Sequence, residues 1–350
     1  MNIDSGDRVL VTGATGFIGS ALTRNLVARE FEVVALVEPA VDAANLQGLE
    51  VKQIVGDLRD PESVRKAMSG CRAVFHAAAL YRFWAKDPSD FYAINVDGTK
   101  NVLGAAAEVG TEGFVYTSTV GTLGLEHVSE TGSADERAHP DIRHLYGSYK
   151  RSKYVAEHEV LRAAAEGLPV SLVLPTVPLG PGDRGPTPTG KIVLDYLNGR
   201  MPGYVDTTLN VVHVDDVAEG HVLALHKGKV GRSYILGGEN LSLQQVLEEL
   251  AAVSGLPRAR WKVPGPVALA VAGLSEVIEG RMLRRHPSIP LEAARMSAST
   301  MAFDDRRARD ELGYSPRPAV EALEASARWF VESGAVSPRR VASISWSTGR

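Results

Sequence analysis

Residues 9–26 read VLVTGATGFIGSALTRNL, an apolar β-branched run that breaks at glycines and resumes with helical periodicity. No other stretch narrows the possible folds as much. Gly13, Gly16 and Gly19 fall between the run and a helix face of Phe17, Ile18, Leu22 and Leu26, so the chain must pass sharply from strand into helix. A turn without side chains leaves backbone N–H groups and a helix N-terminus open to an anionic pyrophosphate. A tight strand–helix turn with no ligand would use the same residues, so the rest of the chain has to supply the context.

That context is an alternation. Short apolar runs recur at Val9–Val11, Val33–Val37, Val51–Val55, Ala73–Phe75, Phe114–Thr117 and Val170–Leu174. Helical patterns at Ile18–Arg29, Ser63–Met68 and Asn95–Val109 lie between them. Apolar strands joined by helical crossovers predict an α/β, doubly wound parallel sheet covered on both faces. Beyond Leu174 the segment PTVPLGPGDRGPTPTG reads as mostly loop. Helices are expected at Lys191–Asn198, Ser242–Val253, Pro264–Ile278 and Ala319–Glu332, with short strands at Asn210–Val214 and Arg232–Leu236. The expected division is a dinucleotide-binding core over residues 1–174, to which the strand at 210–214 returns. A smaller mixed substrate-binding part then spans 175–336, and a frayed polar tail spans 337–350.

Composition removes several classes of function. The net charge of −4, without a basic run, argues against nucleic acid as a partner. A single cysteine, Cys71, excludes an internal disulfide framework and suits a reducing cytoplasm, and it reads as a small buried residue. The start MNIDSGDRVLVTG has no basic-then-apolar leader. The longest apolar stretch, Val263–Ile278, falls short of the roughly 20 residues of a membrane span and contains Ser275 and Glu276. It is expected to pack on the protein, with a substrate-lining or lipid-facing helix as the alternative. No metal site is expected.

Two Tyr-x-x-x-Lys pairs overlap in LYGSYKRSKYVAEHEV: Tyr146 with Lys150, and Tyr149 with Lys153. Each puts phenol and ammonium on one helix face. The face of Tyr149 and Lys153 continues into Ala156 and Val160 and should point inward. The other continues into Glu157 and reads as solvent. An inward lysine is costly unless it has a task, so Tyr149 with Lys153 is the candidate catalytic pair. A phenol beside a cation can give or take a proton at a carbon that exchanges hydride. The end of the fifth strand, FVYTSTVGTLG, offers three further hydroxyls, Thr117, Ser118 and Thr119.

The G-x-x-G-x-x-G turn in TGATGFIG and the helix YKRSKYVAE resemble the extended short-chain dehydrogenase/reductase superfamily, over most of the chain. The resemblance implies a Rossmann-type sheet and assigns Thr119 as the catalytic hydroxyl, with Ser118 as the substitute. It implies cofactor contacts from Gly13, Thr15, Gly16, Phe17, Ile18, Asp57, Leu58, Ala77, Ala78, Ala79, Tyr149, Lys153, Pro175 and Val177. Asn95 would support the site or merely cap a helix. Glu38 ends the second strand, where a carboxylate binds adenosine ribose hydroxyls and repels a 2′-phosphate. No arginine lies between Glu38 and Lys52, so NAD is expected over NADP. Nucleotide-sugar epimerases of this superfamily hold a diphosphate with arginines, and none stands between Arg200 and His213. The segments AALYRFWAKDP, GPTPTGKIVLDYLNG, YVDTTLNVVHVDDVAEGH and SYILGGENLSL instead resemble proteins called hopanoid-associated sugar epimerases and dihydroflavonol-4-reductase-like proteins. Tyr81, Arg82 and Trp84 would then roof the substrate pocket. The implied activity is hydride transfer at a secondary alcohol or ketone of a sugar-like or polyol-bearing small molecule, by a reductase or an epimerase in a homodimer. A non-catalytic dinucleotide sensor is the rival from another class.

Overall fold

The apolar runs become interior strands. A computed structural model describes residues 3–82, 84–124, 132–138, 140–201, 203–259, 261–282, 291–296 and 301–347. Its first half sets β1 (Arg8–Thr12), β2 (Glu32–Val37), β3 (Lys52–Val55), β4 (Ala73–His76), β5 (Gly113–Thr117) and β6 (Val170–Pro175) between α1 (Phe17–Ala28), α2 (Pro61–Met68), α3 (Ser89–Tyr92), α4 (Gly98–Val109) and α5 (Ser148–Ala165). The second half contains β7 (Val177–Leu179), α6 (Gly190–Leu197), β8 (Gly203–Tyr204), β9 (Thr208–His213), α7 (Val214–Lys227) and β10 (Ser233–Leu236). It continues through β11 (Glu239–Ser242), α8 (Leu243–Ser254), β12 (Trp261–Lys262), α9 (Gly265–Ser275), α10 (Leu291–Met296), α11 (Arg306–Leu312) and α12 (Ala319–Glu332). Local chemistry marks several ends. Asp60 caps α2 ahead of Pro61, and Ser242 and Gln245 cap α8 reciprocally.

Seven strands form one parallel sheet in the order β10-β6-β5-β4-β1-β2-β3. Successive side chains enter opposite cores: Val9 and Val11 pack under α1 and α7, Leu10 under α2, α4 and α5. Both faces are therefore dry, as unalternated apolar strands require. The strand order reverses between β1 and β4, which opens a crevice at their carboxyl ends.

Three expectations need correction. The strand near 210–214 does not return to the large sheet: β9 pairs with β7 and β11 in a separate three-stranded sheet, and β10 takes the outer place beside β6. A parallel strand must be reached through a crossover helix lying on the sheet. Helix α7 precedes β10 and packs there, whereas α6, which precedes β9, belongs to the core of the smaller part. The tail is not frayed as far as residue 347. Ser345 and Ser347 donate backbone N–H groups to the carbonyls of Ser254 (2.9 Å) and Val253 (3.1 Å), and Arg328 lies 4.5 Å above the Trp346 ring. Finally, α9 does not pack on the protein along its length, since only Ala272 is fully buried. Among the described residues no helix is long and apolar enough to cross a membrane.

Candidate active site

The glycine turn closes on backbone rather than on side chains. Gly13 has φ +71°, and a Cβ there would lie 2.7 Å from the Ala78 backbone, in the segment that leaves β4. A Cβ on Gly19 would lie 2.0 Å from the Gly13 carbonyl oxygen. These two glycines let β1, β4 and α1 converge, while Gly16 is exposed and leaves the N-terminus of α1 bare.

Beneath the turn lies a buried polar chain. His76 Nδ1 pairs with Thr12 Oγ1 at 2.6 Å, and Nε2 with Thr99 Oγ1 at 2.9 Å. Thr99 donates its own proton to the Asn95 carbonyl (2.6 Å), so His76 must donate from Nε2 and accept at Nδ1 from Thr12. Thr12 Oγ1 in turn accepts the Ala78 N–H at 3.3 Å. Complete burial pushes the imidazole down to about 3, so it stays neutral and structural.

Asn95 sits in a π-turn, Ala93–Asp97, that leads into α4. Its Oδ1 accepts the Leu80 N–H at 2.7 Å and its Nδ2 donates to Ser152 Oγ at 2.9 Å. It therefore fastens the segment after β4 to α5, and caps no helix.

Helix α5 resolves the overlapping pairs as its periodicity predicts. Tyr149 is 8% exposed and Lys153 2%, whereas Tyr146 is 54% exposed. Lys153 Nζ donates to the Tyr116 hydroxyl at 2.8 Å and to the Thr117 carbonyl at 2.7 Å. Burial pushes this ammonium down to about 7, against the opposing pull of the Glu157 carboxylate one turn on. Glu157 differs from its solvent reading: it is half-buried and accepts from Ser118 (2.5 Å) and Thr122 (2.9 Å). Ser118 lines the cavity, but its proton is thus engaged by Glu157. Thr119 accepts the Gly121 N–H at 3.1 Å and keeps its own proton for donation. The Tyr81 ring lies 4.8 Å from that of Tyr149.

A cavity of about 1080 Å³ runs from the turn to this helix and beyond it. Of the residues singled out from sequence, Gly13, Gly16, Phe17, Ile18, Ala77, Ala79, Tyr81, Arg82, Thr117, Ser118, Thr119, Tyr149, Lys153 and Pro175 line it. The others stand elsewhere. Ala78 backs Gly13, and Val177 pairs with Val211 in the small sheet. The Thr15 carbonyl accepts from Asn45 at 3.1 Å. Leu58 packs against Gly98 of α4, and Trp84 is half-buried outside the lining. Glu38 is exposed just past β2, and Asp57 is forked onto Arg59, whose guanidinium also feels the Glu38 charge. These last three stand past the carboxyl ends of β2 and β3. The fit to a dinucleotide is good: the bare N-terminus of α1 opens on the crevice, and the buried Lys153 lines the same cavity.

Three contributors carried little signal in the sequence. Tyr116 holds Lys153, and a tyrosine inside an apolar strand was a sign that its hydroxyl must find a partner. Asn45 ties Thr15 to the Gly182 carbonyl (3.0 Å) and so draws the 180–190 loop over the turn. Arg59 follows Asp57 and Leu58 in the sequence, and only the fold brings it within electrostatic reach of Glu38.

Comparison with known proteins places this geometry. The model of the NAD dependent epimerase/dehydratase family matches residues 9–237. A protein of Synechocystis sp. provisionally named dihydroflavonol 4-reductase is 41% identical over 338 residues, covering 95% of this chain and 97% of its own. Sterol demethylase protein B of Methylococcus capsulatus is 34% identical over 328 residues, covering 93% and 99%. The crystal structure of gox2253 aligns with a TM-score of 0.83 at 42% identity, over 95% of this chain and 100% of that one.

Proposed function

This chain belongs to the NAD dependent epimerase/dehydratase family and is an NAD-dependent enzyme; on that premise we propose that it moves a hydride at a secondary alcohol or ketone carbon, with Tyr149 exchanging the hydroxyl proton. One observation carries the reading: Tyr149 and Lys153 are buried side by side on α5, at the wall of the cavity that begins at the glycine turn.

In the oxidising direction the carbinol O–H proton passes to the Tyr149 oxygen as the C–H bond breaks and C=O forms. Bound NAD would supply the hydride acceptor, and its reduced form, NADH, the donor in reverse. Lys153 stabilises the phenolate form of Tyr149 electrostatically and is itself held by Tyr116 and the Thr117 carbonyl. Thr119 donates to the substrate oxygen as charge grows there. Phe17, Ile18, Ala77 and Ala79 keep the crevice walls apolar, and Asn95 fixes Leu80 beside them.

The substrate proposed is sugar-like or polyol-bearing, with a polar head among Arg82, Thr187 and Thr189. A reading as a ketone reductase of dihydroflavonol type is favoured by the Tyr81 ring against Tyr149, which suits a flat aromatic substrate. Glu38 supports NAD over NADP, and a homodimer through α5 is the arrangement proposed for the whole enzyme. The test is Tyr149→Phe, with a substrate found by screening polyols, sugars and ketones for a change in nicotinamide absorbance. Turnover should fall by about 10²–10⁴ with NAD affinity retained. Unchanged turnover would overturn the assignment.

A further inference from the structure

The cavity does not end at the polar groups around Tyr149. Its far end is walled by Met201, Val205, Leu243, Val263, Ala268 and Val271, the last two from α9. Helix α9, GPVALAVAGLS, is apolar on every side, yet only Ala272 of it is fully buried. Val267, Val271 and Leu274, with Ile278 beyond the helix end, follow the spacing of one helical face, and all four are exposed, Leu274 by 61%. The stripe therefore begins where the apolar end of the cavity opens.

Its surroundings are not those of a patch waiting for more protein. Trp261, 73% exposed, precedes the helix on β12. The sequence flanks the stripe with Arg258, Arg260 and Lys262 on one side and Arg281, Arg284 and Arg285 on the other. Against these stand Glu276 and Glu279, a local excess of four positive charges in a chain whose net charge is −4. Lys262 reaches Asp206 at 2.8 Å, and the segment stays positive after that pair is set aside. At 11 residues α9 is far short of a span. A second copy seated on the same face would double the positive excess that the sequence carries around the stripe, at an electrostatic cost. An apolar face with an exposed tryptophan and basic borders suits the interface of an anionic bilayer.

We infer that α9 seats the mouth of the cavity on an anionic membrane surface, so that the substrate is an amphiphile drawn from the bilayer with its head toward Tyr149 and its hydrocarbon in the outer cavity. The substrate half of this inference rests on the hydride-transfer reading above; the docking half does not.

The full-length protein should float with vesicles of phosphatidylcholine and phosphatidylglycerol in equal parts, more weakly with phosphatidylcholine alone, and less as salt is raised. Trp261 emission should shift to the blue on binding, and the shift should vanish in Trp261→Ser. The double variant Val267→Glu/Leu274→Glu changes only exposed residues outside the cavity lining, and retained NAD affinity reports that it is folded. Its binding to the mixed vesicles should fall about tenfold or more. No flotation of the wild type overturns the docking, as does equal flotation of the variant. So does a wild-type dimer that the variant converts to monomer without any vesicle binding, since the face would then belong to a second copy. A long-chain alkanone dissolved in the mixed vesicles is the turnover probe: reduction by wild type and loss in the double variant support the substrate class. Vesicle binding without any reduction of this probe overturns it. Tyr149→Phe should float like wild type, which keeps failure of docking apart from failure of the proposed reaction.

Discussion

Glu38 and Arg59 set opposing charges past the carboxyl ends of β2 and β3, where the proposed NAD site would take its adenosine. The Asp57 fork holds the Arg59 guanidinium, and Glu38 stands close enough to act on it electrostatically. A 2′-phosphate arriving there would meet the Glu38 carboxylate first. Replacing Glu38 with alanine removes that repulsion and leaves Arg59 as the nearest cation, a residue type suited to phosphate. The KM for NADP should therefore fall about tenfold in Glu38→Ala, equivalent to about 1.4 kcal/mol, while the KM for NAD rises. An unchanged ratio of the two would show that Glu38 points to water and decides nothing. The carboxylate was legible in the sequence because it ends a strand at a fixed distance from the glycine turn. Its meeting with Arg59 was not, because 21 positions and a strand separate them.

Elements differ in how plainly a sequence announces them. The register of α5 was readable because its two faces differ, one ending in Ala156 and Val160 and the other in Glu157. Helix α9 offered no such contrast: with every side apolar, periodicity predicts a helix but cannot say that solvent surrounds it. Strands β9 and β10 are both short apolar runs, and only the placement of α7 decides which one joins the large sheet. The turn between β1 and α1 was the most legible element of all, and its glycines can be sorted by what surrounds them. Gly19→Ala drives a Cβ into the Gly13 carbonyl and should cost about 1–3 kcal/mol together with NAD affinity. Gly104, exposed within α4, has nothing within 4 Å of its Cβ position. Gly104→Ala should raise stability by about 0.5–1 kcal/mol and leave NAD affinity unchanged. Urea titration of both variants, with NAD binding alongside, checks the pair.

At the scale of the whole molecule, two buried imidazoles link stability to acid. His221 on α7 pairs Nε2 with Thr117 at 2.8 Å and Nδ1 with the Val217 carbonyl at 2.7 Å, and burial pushes it down to about 4. His76, held near 3, is the second. Each takes up its proton in the unfolded chain near pH 6.5, well before the folded protein accepts one. The unfolded state then binds more protons as pH falls, so stability is full above about 6.5. It drains through the window down to about 4 for His221 and about 3 for His76. For His221 the loss is on the order of a few kcal/mol. Thermal midpoints measured between pH 7 and 4 should fall, and the fall should be shallower in His221→Gln; identical slopes would remove His221 from this account.

The place of β10 also bears on how the chain can be assembled. The outer strand of the large sheet comes from residues 233–236, and α7, which lies against α1, from residues 214–227. Arg29, which ends α1, is paired to Glu219 on α7 at 2.5 Å. During synthesis, the first 174 residues therefore emerge with β6 unpaired on its outer side and the helix of the glycine turn uncovered. The apolar surface of α1 must wait for some forty to fifty more residues, those that build β7, α6 and β9 on the way to α7. Nascent chains of this topology carry an open edge through that interval, a period in which a holding chaperone or the ribosome surface has something to cover.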